Sequence, residues 1–207
     1  RTSVDIGYAG FQEMQKDVQE SLRQKLLPTV RMEEAVPPNR SFNFRDSIRK
    51  DIQSLEDILI TITDPKFQKA VDLISQAQEV FVVGLGTQYP SAIYFQGILE
   101  QIRERVTLIT QGTHIPCFSR MSSHDLLFSI CLPRYSTFTV RSVQEASKQG
   151  ASIIAVTDNE LSPSGKLADV VLQANFESMS FFNSNVAVMA ILNALATAAA
   201  LKNRSST

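Results

Sequence analysis

The chain has 207 residues, 43% of them apolar, and a formal net charge of −1 at pH 7. That suffices for one good core plus an appendage, and it excludes a chain that holds nucleic acid by bulk charge. The two cysteines, Cys117 and Cys131, have no CxxC spacing, so neither a disulfide framework nor a zinc site is expected, and a reducing cytoplasm fits. No apolar run reaches membrane-spanning length in this reading, and no signal peptide opens the chain. The opening RTSVDIGYAGF has no Met and begins mid-pattern, as a truncated N-terminus would.

In chain order, Phe11, Met14, Val18, Leu22 and Leu26 recur at spacings of three or four, one apolar face of a helix. Pro28 and then Val36–Asn43 (VPPNRSFN) break the pattern and read as a linker. Ser47–Thr63 is a second helix, with Ile48, Ile52, Leu55, Ile58 and Leu59 on one face. Asp64 caps and Pro65 opens a third helix running to about Gln78. From there strands and helices alternate. The strands are Glu79–Gly84, Val106–Thr110, Leu126–Leu132, Ser152–Thr157 and Val170–Gln173. The helices between them are Pro90–Arg103, Ile115–Ser122, Ser136–Gln149 and the short Ser162–Ala168. Ser180–Leu201 closes the chain as a long Ala-rich helix, apolar on most of its circumference, in the core or in a subunit interface. Such alternation predicts an open parallel sheet covered on both faces, with ligands outside the carboxyl ends of the strands.

That rule singles out three loops. In Val80–Ser91 (VFVVGLGTQYPS) a buried strand ends in Gly84 and Gly86 and then opens a helix. This is the geometry of an anion site or of a plain tight turn. In CLPRYSTFTVRS, Ser136, Thr137 and Thr139 surround a helix start with Arg134 just before it, which suits an anion. In the third loop Asp158 either takes a sugar hydroxyl or fixes the turn, and Lys166 is a further candidate contact. His114 and His124 are the only histidines and have no partner motif for acid–base work. There is no GxSxG, HExxH, P-loop or paired-carboxylate signature, and the glycine loop lacks the remaining features of a dinucleotide site. No metal and no cofactor are expected.

Several segments resemble the SIS (sugar isomerase) domain of RpiR-type bacterial transcriptional regulators. AQEVFVVGLGTQ (Ala77–Gln88) is similar to the family's first strand and phosphate loop, and ICLPRYSTFTV (Ile130–Val140) to its second ligand loop. GASIIAVTDNELSPSGKLADVVL (Gly150–Leu172) is the most specific match, and SFFNSNVAVMAILNAL (Ser180–Leu195) resembles the closing helix. Ile6–Leu22 looks like the end of a helix-turn-helix domain.

The resemblance implies a flavodoxin-like three-layer α/β sandwich with a five-stranded parallel sheet, preceded by linker helices. Residues 1–40 would be the tail of the helix-turn-helix domain and a linker, and 41–207 the effector-binding domain. It also implies a homodimer or homotetramer, DNA as a partner through the mostly missing N-terminal domain, no membrane, and a small anionic metabolite such as a phosphosugar. The ligand residues expected are Gly86, Thr87, Gln88, Ser91, Arg134, Tyr135, Ser136, Thr137, Asp158 and Ser184. Two departures stand out. The Ser of the family's G-x-G-x-S is Gln88 here. The four fixed places of S-x-S-G-x-T are Cys131, Pro133, Arg134 and Ser136. The rival reading is a sugar-phosphate isomerase or epimerase, with Glu177, His114 or His124 as its base. A third is a purely structural oligomerisation module.

Overall fold

The computed structural model describes Val30, residues 41–180 and residues 182–205. The segments Phe11–Leu26 and Ile6–Leu22 and most of the proposed linker lie outside the described residues. The contacts divide the chain into two compact units. The smaller includes residues 41–47 and 178–182, and the larger is Ile48–Glu177 together with Asn183–Thr207. In the smaller, Asn43 Oδ1 accepts the Arg45 N–H at 2.9 Å where the first helix begins. The larger holds the sheet.

Two helices lead in, α1 (Phe44–Thr61) and α2 (Asp64–Gln76). The alternating part follows as β1 (Val80–Val83), α3 (Tyr89–Leu99), β2 (Val106–Leu108), α4 (His114–Arg120) and β3 (Leu126–Ile130). It continues with α5 (Thr137–Lys148), β4 (Ser152–Thr157), β5 (Val170–Gln173) and α6 (Val186–Ser205). The five strands form one sheet in the order β2-β1-β3-β4-β5, and every pairing is parallel. The three-layer expectation holds, and the period-2 rule explains it. Val80, Val82, Leu126 and Phe128 face one layer made by α2, α3 and α6. Phe81, Val83, Leu127 and Ile153 face the other, under α4 and α5. With both faces covered, the strands have no polar alternation.

The element ends differ from the expected ones for identifiable reasons. Helix α3 stops at Leu99 rather than Arg103, and the chain beyond it turns so that the Arg103 guanidinium reaches the end of α2. It donates to the Ile74 and Ala77 carbonyls, which the C-terminus of α2 leaves open. Asp64 is not the cap of α2. Thr63 holds that place, and Asp64 and Pro65 are the first helical residues. The expected helix over Ser162–Ala168 shrinks to a 3-10 turn, Gly165–Leu167. A Cβ on Gly165 would lie 2.7 Å from the Glu160 carbonyl oxygen, so the turn closes only on glycine.

The closing helix begins at Val186, six residues after the expected start, since Asn183, Ser184 and Asn185 bond to other elements. By length and composition alone α6 suffices to cross a bilayer, with mean hydropathy 1.5 over Val186–Arg204, contrary to the sequence reading. Its buried face packs on the sheet through Val188, Leu192 and Leu195. The apolar stripe of α1 is also more open than a packing helix requires: Ile52 is 49% and Leu59 84% exposed.

Candidate functional site

In the order β2-β1-β3-β4-β5 the chain reverses direction across the sheet between β1 and β3. A crevice opens there because the loops after the two strands leave in opposite senses. A cleft of about 210 Å³ occupies that point, lined by Leu85–Gln88 after β1 and Ile130–Arg134 and Ser136 after β3. Gly86, at φ +67°, turns the first loop, and its amide and that of Thr87 begin a helical turn without intrahelical acceptors. Ser136 caps α5, its Oγ accepting the Thr139 N–H at 3.4 Å, which leaves the hydroxyl proton free to donate. Two helix starts with open N–H groups thus converge on one cleft, and the exposed Arg134 supplies positive charge.

Arg134 has φ +73°, a left-handed backbone that costs a non-glycine residue about 1–2 kcal/mol. It stands at the glycine place of the S-x-S-G-x-T pattern. The loop keeps the backbone shape a glycine would favour and adds a guanidinium.

Gln88 lines the cleft but commits its donors elsewhere. The Thr87 carbonyl can only accept, so the Asn185 amide nitrogen must face it, at 3.0 Å. Asn185 Oδ1 therefore faces Gln88 and accepts from its Nε2 at 2.9 Å. Gln88 Oε1 is left buried, with no partner among the described residues. The hydroxyl that a serine would present here has no substitute in this side chain. The donors left to an anion are Arg134, Ser136, Thr87 and the backbone amides.

Of the ten expected ligand residues, Gly86, Thr87, Gln88, Arg134 and Ser136 line the cleft. Ser91 is buried in the first turn of α3. Thr137 lines a separate groove with His114 and Arg141. Tyr135 turns to the third loop, where its hydroxyl lies 2.9 Å from both carboxylate oxygens of Asp158. Burial first, then the Asp158 hydrogen bond and charge, hold this phenol well above its ordinary value of 10.0. Asp158 also accepts from Asn159 Nδ2 at 2.7 Å, so it fixes the loop and does not line the cleft. Ser184 precedes the closing helix instead of lying in it. Its Oγ donates to Asp51 Oδ1 on α1 at 2.7 Å.

The candidate bases are dispersed. His124 lies before β3, at the amino end of the sheet, where its carbonyl accepts the Gln78 N–H at 2.8 Å. His114 packs edge-on against Phe118 and Phe138. Glu177 pairs with Lys50. Lys166 is exposed on the 3-10 turn and does not line the cleft.

Residues 183–185 were missed as a set. Asn185 holds the first loop, Asn183 Nδ2 donates to the Pro133 carbonyl of the second at 3.3 Å, and Ser184 holds α1. The signal was present as three polar residues before an apolar helix, a pattern that ordinary capping also produces.

Residues 73–198 match the profile of the SIS domain. The chain belongs to the SIS domain family. An HTH-type transcriptional regulator of Haemophilus influenzae is 23% identical over 176 residues, which are 81% of this chain and 59% of that protein. The chain thus spans less than two thirds of that relative's length. Among solved structures, the sugar isomerase domain of an RpiR transcription factor from Sphaerobacter thermophilus is 27% identical with a TM-score of 0.74, covering 78% of this chain and 91% of that one. The Vibrio vulnificus NanR protein complexed with ManNAc-6P is 19% identical with a TM-score of 0.69, covering 98% of this chain and 73% of that one. At that identity the SIS fold is what the two share.

Proposed function

We propose that this SIS chain is the effector-sensing, oligomerising part of a cytoplasmic DNA-binding transcriptional regulator of the RpiR type. Its ligand is a phosphosugar or a similar small anionic metabolite, held at the carboxyl ends of β1 and β3. Residues 1–40 are read as the end of the DNA-binding domain and a linker. The observation that carries the proposal is Arg134. A guanidinium on a left-handed backbone stands at the rim of a cleft where two helix starts already present N–H groups. A role in binding without chemistry is supported by the bases, since Glu177, His114 and His124 all stand away from the cleft lining.

A ligand regulates such a protein only if it binds the DNA-bound and DNA-free arrangements with different affinity. Residues 183–185 offer a route, because they tie both ligand loops to the start of α6 and to α1. The test is calorimetric titration and thermal shift against a panel of sugar phosphates, headed by ManNAc-6P, and of carboxylate metabolites. Saturable binding that raises the melting temperature, and is weakened by Arg134→Ala, is the expected result. Turnover of a sugar phosphate, abolished by changing His114 or Glu177, would replace the sensor with an isomerase. No saturable ligand would leave a structural module.

A further inference from the structure

A groove of about 620 Å³ runs between α4 and α5, and none of its lining residues lines the cleft. Its apolar floor is aromatic. The His114 ring meets Phe138 edge-on at 5.8 Å and Phe118 at 6.5 Å between centroids. Phe118 is buried and Phe138 half-buried, so the three rings make a packed surface. Helix α5 supplies one wall. Thr137, Arg141 and Gln144 stand at i, i+4 and i+7, the spacing that sets side chains on one helical face. The polar groups here are uncommitted. Thr137, Arg141, Gln144 and Gln111 are exposed, and among the described residues their side chains have no hydrogen-bond or ion-pair partner. Arg103 and Arg120 differ in this, since their guanidiniums donate to backbone carbonyls and to Glu79. Glu145, also on the groove, pairs with Lys148 at 2.7 Å and not with Arg141. His114 Nδ1 lies 3.3 Å from the Gln111 carbonyl oxygen, which can only accept. The neutral ring therefore carries its proton there and leaves Nε2 as an acceptor.

We propose that this groove is a second small-molecule site, which takes an anion carried on a flat aromatic body, the chemistry of a purine nucleoside monophosphate. Three features select that class. First, an unpaired guanidinium with a hydroxyl one helical turn away suits a phosphate, which arginine holds through two parallel N–H bonds. Second, an aromatic floor takes a planar base against it, a contact every nucleobase can make. Third, Gln111 on one side and Gln144 on the other each carry a carboxamide, whose paired donor and acceptor complement the N6 and N7 edge of adenine. The volume also lies within the roughly 300–1,000 Å³ of small-molecule pockets. This inference is independent of what the cleft holds. Ser136 lines the cleft and Thr137 the groove, so the two sites meet at the start of α5.

The test is calorimetric titration of the full chain with AMP, beside adenosine, which lacks the anion, and inorganic phosphate, which lacks the ring. Saturable AMP binding is expected, about tenfold or more tighter than either fragment, because each fragment keeps only part of the contacts. Arg141→Ala should weaken AMP about tenfold with circular dichroism and melting unchanged, and Arg141→Lys should restore only part of the loss, since lysine cannot bond in a fork. Gln144→Ala should weaken AMP without changing the affinity for phosphate. Arg134→Ala, at the cleft, should leave AMP affinity as it is. Absence of AMP binding overturns the proposal. So does inorganic phosphate that binds as tightly as AMP, which would make the groove a plain anion site. AMP binding that Arg134→Ala abolishes and Arg141→Ala spares would place the nucleotide in the cleft and also overturn it.

Discussion

The proposed ligand site rests on Arg134, and two substitutions separate the roles the proposal gives it. If the proposal holds, Arg134→Ala removes a charge-assisted contact worth about 1.5–3 kcal/mol, and anion affinity should fall roughly 10- to 100-fold in calorimetry with the fold intact. Arg134→Gly removes the same guanidinium but also the backbone strain, so affinity should fall while the melting temperature rises by a few degrees. Equal affinity in both variants and the parent would remove Arg134 from the site. Tyr135 gives a second test at this scale. Its folded-state pKa is raised, so the proton binds more tightly in the native chain. The associated stability is present below the unfolded value of 10.0 and is lost as pH rises towards the folded one. Absorbance titration should show a phenol that resists ionisation, and Tyr135→Phe should delete that step.

Elements place the cleft. The buried run at β1 and the glycine turn behind it bring Thr87 and Gln88 to the switch point, and Ser136 starts α5 against them. Gly86 is the position where the turn depends on one residue type. Gly86→Ala should cost about 1–2 kcal/mol, read as a lower denaturation midpoint, because φ +67° disfavours any Cβ even in open space. The layer beneath the cleft rests on Phe95 of α3 and Phe128 of β3, whose rings lie 4.3 Å apart at the centroids and are fully buried. Phe128→Ala should cost about 3–5 kcal/mol in urea unfolding, the range for an aromatic cavity in a close-packed core.

Across the whole molecule, α1 and α6 are joined to the rest by acidic groups. Asp57 on α1 accepts from Asn175 Nδ2 after β5 at 2.8 Å, and Asp72 on α2 from Lys202 of α6. Both carboxyls are held below their ordinary value of 3.8, Asp57 mainly by the Asn175 hydrogen bond and Asp72 mainly by that of Lys202. In the native chain these groups bind protons less readily than when unfolded. Their stabilisation is present above pH 3.8 and is lost as pH falls through the folded values. A melting series in acid should show that loss, reduced by Asp57→Asn together with Asp72→Asn. Both residues are only half-buried and their carboxyls are reached by solvent, so the effect is small beside the core.

The amino-acid sequence by itself determined the order of the strands and main helices from Glu79 onward, though not that the segment Ser162–Ala168 is a 3-10 turn, and it placed two strands, Ser152–Thr157 and Val170–Gln173, to the residue. Apolar runs and glycine or proline punctuation are local signals, and a short run rich in β-branched residues between such breaks favours a strand buried on both faces. It also singled out both loops of the cleft, since carboxyl ends of parallel strands follow from connectivity, but the same rule named the loop after β4, which does not line the cleft. Only the tertiary structure decided which residues in those loops face the cleft. Tyr135 and Arg134 are neighbours in the chain, yet one turns to Asp158 and the other to the cleft rim. A single left-handed residue sets that divergence, and no composition or spacing encodes it. The bonds of Asn183, Ser184 and Asn185 to Pro133, Asp51 and Thr87 span 50, 133 and 98 positions. Such partners depend on how the helices pack, because a polar side chain entering a core takes whichever complementary group the fold has brought within reach.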